Sequence, residues 1–139
     1  MQDTLMGLTK MEYETIASCR TAIRRFLRHS EEAARSVGLT PQQHQLLLAV
    51  KGQPGREWAC VGELADALQI RHHAAVGLVD RCESAGLVRR APGLRDRRQV
   101  RVLLTPHGEE VLGQLVAVSR NELERLRDGM WPAFTNGAM

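Results

Sequence analysis

The chain has few cysteines, few aromatic rings and few lysines, and these shortages exclude several classes. Three cysteines stand among 139 residues: Cys19, Cys60 and Cys82. They are odd in number, widely spaced and form no C-x-x-C pair, so neither a disulfide framework nor a zinc finger is expected. Free, buried and reduced thiols are the plain reading. Aromatics make up 4% of the chain, while alanine and leucine are plentiful, which favours a mainly helical fold. No stretch approaches the roughly 20 apolar residues of a membrane span. The start, Met1-Gln2-Asp3-Thr4-Leu5, lacks the charged-then-apolar layout of an export signal, so a cytoplasmic location without membrane contact is expected. There is no glycine-rich phosphate loop, no G-x-S-x-G and no H-E-x-x-H, so neither an enzyme nor a cofactor is expected.

What the chain has instead is arginine, which supplies 17 of its 19 basic residues. The net charge of +3 is unevenly spread. Eight arginines lie between Arg71 and Arg101 (71, 81, 89, 90, 95, 97, 98 and 101), opposed only by Asp80, Glu83 and Asp96. That stretch carries +5 and the remainder −2. A basic segment on an otherwise mildly acidic protein is the electrostatic footprint of a polyanion binder. Arginine also suits bidentate phosphate and base contacts better than lysine.

The length fits one domain over residues 1–139, large enough for one core. From about residue 10 to 37 the apolar stripe Ile16, Cys19, Ile23, Phe26, Ser30, Ala33 and Val37 steps by three and four, and Gly38 ends it. So long a helix cannot bury its stripe in one small globule, which implies a partner helix. Thr40-Pro41-Gln42-Gln43 is a helix start, with Leu46, Leu47 and Val50 on one side. Trp58-Ala59-Cys60 reads as a short strand. Val61, Leu64, Ala65 and Leu68 form one short helical face. After Gln69-Ile70, a second face runs through Ala75, Leu78, Val79 and Cys82 and ends at Gly86. Two strands, Leu87–Ala91 and Val100–Leu104, then flank a polar, arginine-rich loop from Pro92 to Gln99. Thr105-Pro106 begins a last helix expected to reach about Arg127, with Val111, Leu115, Val118 and Leu126 as its stripe. Trp131–Met139 reads as a frayed tail.

The fold class is therefore mainly α with a small β wing: a winged helix-turn-helix between long N- and C-terminal helices. Glu63-Leu64-Ala65, Val79-Asp80-Arg81 with Gly86-Leu87-Val88-Arg89-Arg90, and Asp96-Arg97-Arg98 with Val102-Leu103-Leu104-Thr105-Pro106-His107-Gly108 stand in an order that resembles the MarR family of bacterial transcriptional regulators. The resemblance covers about residues 40–115. It implies a homodimer held by helices at about 10–37 and 106–128, with a DNA-binding lobe at about 58–104. It also implies that the second helix of the motif enters the major groove of double-stranded DNA. The two copies would then sit about 34 Å apart on a pseudo-palindrome.

Arg71, His72, His73, Ala74, Gly77 and Arg81 are the candidate contacts on that helix, with Val76 and Asp80 on or near the same outward side. Similar proteins carry Ser, Thr or Arg where this one has Ala74, Val76 and Gly77, which points to sparse base readout and more reliance on DNA shape. The resemblance further implies that Arg98 enters the minor groove braced by Asp96, with Arg95 and Arg97 reaching phosphates. Glu63 is expected to cap or brace the first helix of the motif. Arg89 and Arg90, on one strand, point to opposite faces, one toward phosphate and one toward an acid. Gly77 in mid-helix is explained equally well by close approach to DNA or by close helix packing.

By the same resemblance, a small aromatic or anionic effector binds between the dimer helices and the lobe and releases DNA. Two variants keep the fold: thiol sensing at Cys19, which however lies on the apolar stripe, or metal sensing at His29, His44 or His107. A winged helix serving as a protein-interaction module would carry a neutral or acidic wing, and this wing is basic.

Overall fold

The computed structural model describes Gly7 and residues 9–135, with side chains described through Met130. Met1–Met6, in which no export signal was read, and the last four residues of the tail lie outside the described residues. The chain divides into two compact units: residues 34–116, and residues 1–33 with 117–139.

In the first unit, helix α2 (Pro41–Lys51) starts as its sequence predicts. The Thr40 hydroxyl accepts from the Gln43 N–H (3.1 Å), and the Gln43 carboxamide accepts from the Thr40 N–H (3.0 Å), satisfying two donors that a helix start leaves open. Strand β1 (Trp58–Ala59), helix α3 (Val61–Leu68) and helix α4 (His72–Ser84) follow. The α3–α4 turn places Gln69 in the left-handed region (φ 55), a conformation usually left to glycine. It holds because the Ile70 N–H reaches the Ala65 carbonyl (3.0 Å) and the Gln69 N–H reaches that of Asp66 (3.1 Å).

Helix α4 ends as expected at Gly86 (φ 75), where the Leu87 N–H bonds to the Cys82 carbonyl (2.9 Å) and the Gly86 N–H to that of Glu83 (3.0 Å). Strands β2 (Val88–Pro92) and β3 (Val100–Leu104) pair antiparallel with Arg90 opposite Val102. Strand β1 adds to the far edge of β3, so the sheet has three strands in the order β1-β3-β2. Leu46, Leu47, Val50, Leu64, Val79, Cys82, Leu87, Val88 and Val102 are fully buried and form the core. Each large apolar side chain so removed from water contributes about 1.5–3 kcal/mol.

Helix α5 (Pro106–Gly113) is capped by Thr105, whose hydroxyl accepts from the Gly108 N–H (3.0 Å). Gly108 is buried with its Cα against the Leu87 carbonyl, which accepts a hydrogen bond from the Thr105 N–H (3.0 Å); a Cβ here would sit on that oxygen.

The last helix differs from expectation. It is two helices, α5 and α6 (Val116–Thr135), separated at Gln114 and Leu115. The Gln114 N–H is shared between the Glu110 and Val111 carbonyls, and the Leu115 N–H turns back to Leu112 (3.1 Å). This tightened turn buries Leu115, and Gly113 just before it is a poor helix former. Helix α6 continues past Arg127 and Trp131 to Thr135 rather than fraying there.

In the second unit, residues of α1 (Lys10–Ser36) up to Ala33 lie with α6. Among the described residues the apolar stripes are left partly uncovered: Ile16, Cys19 and Phe26 are only half-buried, and Ile23, Leu27, Val118 and Leu123 are exposed. Glu122 is buried, with its carboxylate 3.2 Å from Arg125 and 3.5 Å from the His29 ring.

Candidate nucleic-acid interface

Helix α4 opens without a capping side chain. Arg71 holds the N-cap position with an extended backbone, and its own side chain is exposed. The first-turn N–H groups of a helix carry partial positive charge, and Arg71 adds a full one beside them. His72, His73 and Ala74 are exposed on that turn, Val76 and Gly77 are half-buried, and Arg81 is exposed one turn beyond Gly77. A Cβ built on Gly77 meets only the Arg81 guanidinium, at 3.5 Å, which is ordinary contact. No neighbouring helix crowds this position, so close packing does not explain the glycine.

Asp80, read from the sequence as one more outward-facing residue of α4, is engaged. The Arg90 guanidinium donates to Asp80 through Nη2 (2.6 Å) and to Glu83 through Nη1 (2.6 Å). Arg90 therefore ties strand β2 to helix α4 and pairs with both acids of that helix. Arg89, on the opposite side of the strand, is exposed. The alternation expected of neighbouring strand residues is what the structure has.

The wing loop, residues 93–99, is held from within. Gly93 is buried, and a Cβ there would strike the Asp96 and Gln99 carbonyl oxygens, so only glycine closes the loop this way. The Gln99 N–H donates to the Asp96 carbonyl (3.0 Å). Asp96 Oδ1 accepts from the Arg98 backbone N–H (3.0 Å) and from its Nε (3.3 Å), while the Arg98 side chain is 93% exposed. The arginine is thus aimed into solvent with its near end fixed. Arg95 and Arg97 are exposed beside it. The loop is less polar than expected: Leu94, two residues past the end of β2, is 73% exposed.

Below the wing lies an arrangement that the sequence did not disclose. The Arg56 guanidinium covers the Trp58 ring at 4.2 Å and pairs with Glu63 through both nitrogens, Nη1 at 3.0 Å from Oε1. Glu63 also accepts from the Cys60 N–H (2.9 Å), so it braces the start of α3 as expected. The Arg56 hydrogen bond, then the Cys60 amide, hold the Glu63 carboxyl below the usual carboxylate range. Arg101 approaches the same ring at 5.7 Å and donates to the Pro92 carbonyl at the base of the wing (2.9 Å). Arg101 is distant in sequence from Trp58 and meets it only because β1 pairs with β3. Among the described residues, no three His, Cys, Asp or Glu side chains gather as a metal ion would require, and no helix is long and apolar enough to cross a membrane.

Residues 37–99 match the family model described as MarR family. This segment belongs to the MarR family. A MarR-type lobe also accounts for the fold. The chain is 33% identical over 76 residues to the HTH-type transcriptional regulator YsmB of Bacillus subtilis (strain 168), described as uncharacterized. That match covers 55% of this chain and about half, 49%, of the relative. A mutant of MarR from E. coli, solved in complex with operator DNA, superimposes with a TM-score of 0.65 at 22% identity, over 80% of this chain and 78% of that one. BpsR of Bordetella bronchiseptica, whose DNA binding is regulated by 6-hydroxynicotinic acid, superimposes with a TM-score of 0.60 at 22% identity, over 77% and 74% of the two chains. At these identities the two structures establish the winged-helix fold of the MarR-type lobe.

Proposed function

We propose that this chain is a transcriptional regulator that binds double-stranded DNA as a homodimer and releases it when a small effector binds. The observation that carries the reading is the wing: Arg98 is almost fully exposed and braced by Asp96 on a loop closed by Gly93. A narrow minor groove concentrates negative potential, and a guanidinium already oriented loses little entropy on entering it. Arg95 and Arg97 would meet the flanking phosphates, and Arg71, His72, His73, Ala74, Gly77 and Arg81 would face the major groove. Gly77 would let the α4 backbone lie close to the DNA, now that crowding within the lobe does not account for it. The uncovered stripes of α1 and α6 favour a second copy as their partner. An aromatic or anionic effector, as named for BpsR, is the ligand class that fits best. The role is binding rather than catalysis, and its place is the cytoplasm, where chromosomal DNA is accessible.

Duplexes selected from a random-sequence pool, titrated at two salt concentrations, test this. Each phosphate contact adds about −0.9 to the slope of log K against log salt. Arg98→Ala is expected to weaken binding by roughly 10- to 100-fold, the loss of a charge-assisted contact, without lowering thermal stability. Salt-independent binding, or unchanged affinity in the variant, overturns the reading.

A further inference from the structure

Leu94 is the most exposed large apolar side chain among the described residues, at 73%. Isolated exposed leucines on a surface are ordinary. This one stands two residues past the end of β2, in a loop whose other exposed side chains include Arg95, Arg97 and Arg98. It is also presented rather than loose. Gly93, immediately before it, is buried against the Asp96 and Gln99 carbonyls, and the Gln99–Asp96 backbone hydrogen bond closes the loop behind it. On the far side, Asp96 fixes the base of Arg98. The loop thus carries one exposed branched apolar group together with three exposed guanidinium groups.

That combination fits one kind of partner. A protein surface that takes up a leucine also needs acidic groups for three arginines. The minor groove of DNA supplies both complements, with phosphates along its rims and, where a base step is parted, apolar base faces at its floor. Apolar side chains delivered there can wedge between adjacent base pairs, part their stacking and bend the duplex toward the major groove. Pyrimidine–purine steps yield most easily. We propose that Leu94 is a minor-groove wedge that inserts at a base step beside the Arg98 contact and bends the bound DNA. The proposal rests on the DNA-binding reading of the wing and adds a contact that makes the operator's deformability part of its recognition.

The test uses the full-length protein and a selected duplex labelled at both ends for energy transfer, with a fluorescent adenine analogue at steps along the minor groove. Wild-type protein, Leu94→Ala and Arg98→Ala are compared, with Leu94→Met as a variant that keeps apolar bulk. Leu94→Ala is expected to keep the wild-type salt slope, to bind roughly 5- to 30-fold more weakly, as loss of a buried leucine implies, and to lose the bend and the unstacking signal. Leu94→Met is expected to retain both signals. If Leu94→Ala matches wild type in affinity and bending while Arg98→Ala loses binding, the wedge is refuted and the DNA-binding reading stands. If wild-type protein shows no salt-dependent binding to any selected duplex, both fall. Because Leu94 is 73% exposed, unchanged thermal stability of Leu94→Ala is expected.

Discussion

Two glycine-to-alanine substitutions, both inside helices, are expected to change stability in opposite directions. Helix propensity alone favours alanine at either site, by up to about 1 kcal/mol. At Gly77, mid-way along α4, the new methyl meets only the flexible end of Arg81 at 3.5 Å, so the propensity gain survives. At Gly108, in the first turn of α5, the methyl would overlap the Leu87 carbonyl oxygen. That oxygen is backbone and already accepts from the Thr105 N–H, so it can yield only by moving the Gly86–Leu87 turn or the Thr105 cap. Forced backbone displacement in a packed interior costs about 1–3 kcal/mol, and loss of the cap adds about 1 kcal/mol. The net expectation is a gain of up to about 1 kcal/mol for Gly77→Ala and a loss of about 2–3 kcal/mol for Gly108→Ala. For a chain of this size, each kcal/mol moves the midpoint by roughly 3–5 °C. Thermal unfolding at matched concentration reads both, since a dimer's midpoint depends on concentration. A Gly108→Ala protein as stable as wild type would refute the packing argument. A destabilised Gly77→Ala would show that something other than Arg81 crowds that face.

His44 gives a pH dependence. It is buried in the lobe, its Nε2 has no hydrogen-bond partner, and burial holds its pKa below the usual histidine value. As pH falls below about 6.5, the unfolded chain takes up a proton that the folded chain refuses until its lower pKa is reached, so stability declines across that window. Denaturant unfolding at pH 7.5 and 5.5 should show this decline, and His44→Leu should reduce it; an unchanged slope in the variant would exclude His44 as its source. Burial also pushes the Cys82 thiol up to about 11, so it stays protonated at neutral pH. Alkylation under native conditions should spare Cys82 and reach it only on unfolding; rapid native labelling there would contradict its placement in the core.

Local signals carried the elements. Thr40-Pro41, Thr105-Pro106, Gly38 and Gly86 announced helix ends because capping depends on residues within one turn of each other. The Asp96–Arg98 brace was legible through the family resemblance, and the structure has the hydrogen bond between them. The Arg90 clamp was half-legible: strand alternation said that one of Arg89 and Arg90 would meet an acid. Which acids depended on the Gly86 turn bringing β2 back along α4. The break at Gln114 was missed because an apolar stripe runs through it unchanged, from Leu112 to Leu115 and on to Val118. A stripe reports which side is apolar, not whether the axis is continuous.

By itself, then, the sequence determined a winged helix-turn-helix resembling the MarR type and its basic stretch, through patterns of short range. Only the tertiary structure decided that Arg90 is consumed in holding β2 to α4, that Trp58 lies between Arg56 and Arg101, and that Gly108 is there for want of space whereas Gly77 is not. It also left Leu94, in the loop read as polar, 73% exposed. Those facts depend on which surfaces meet, and side chains seven to more than forty residues apart meet only after the backbone has closed upon itself.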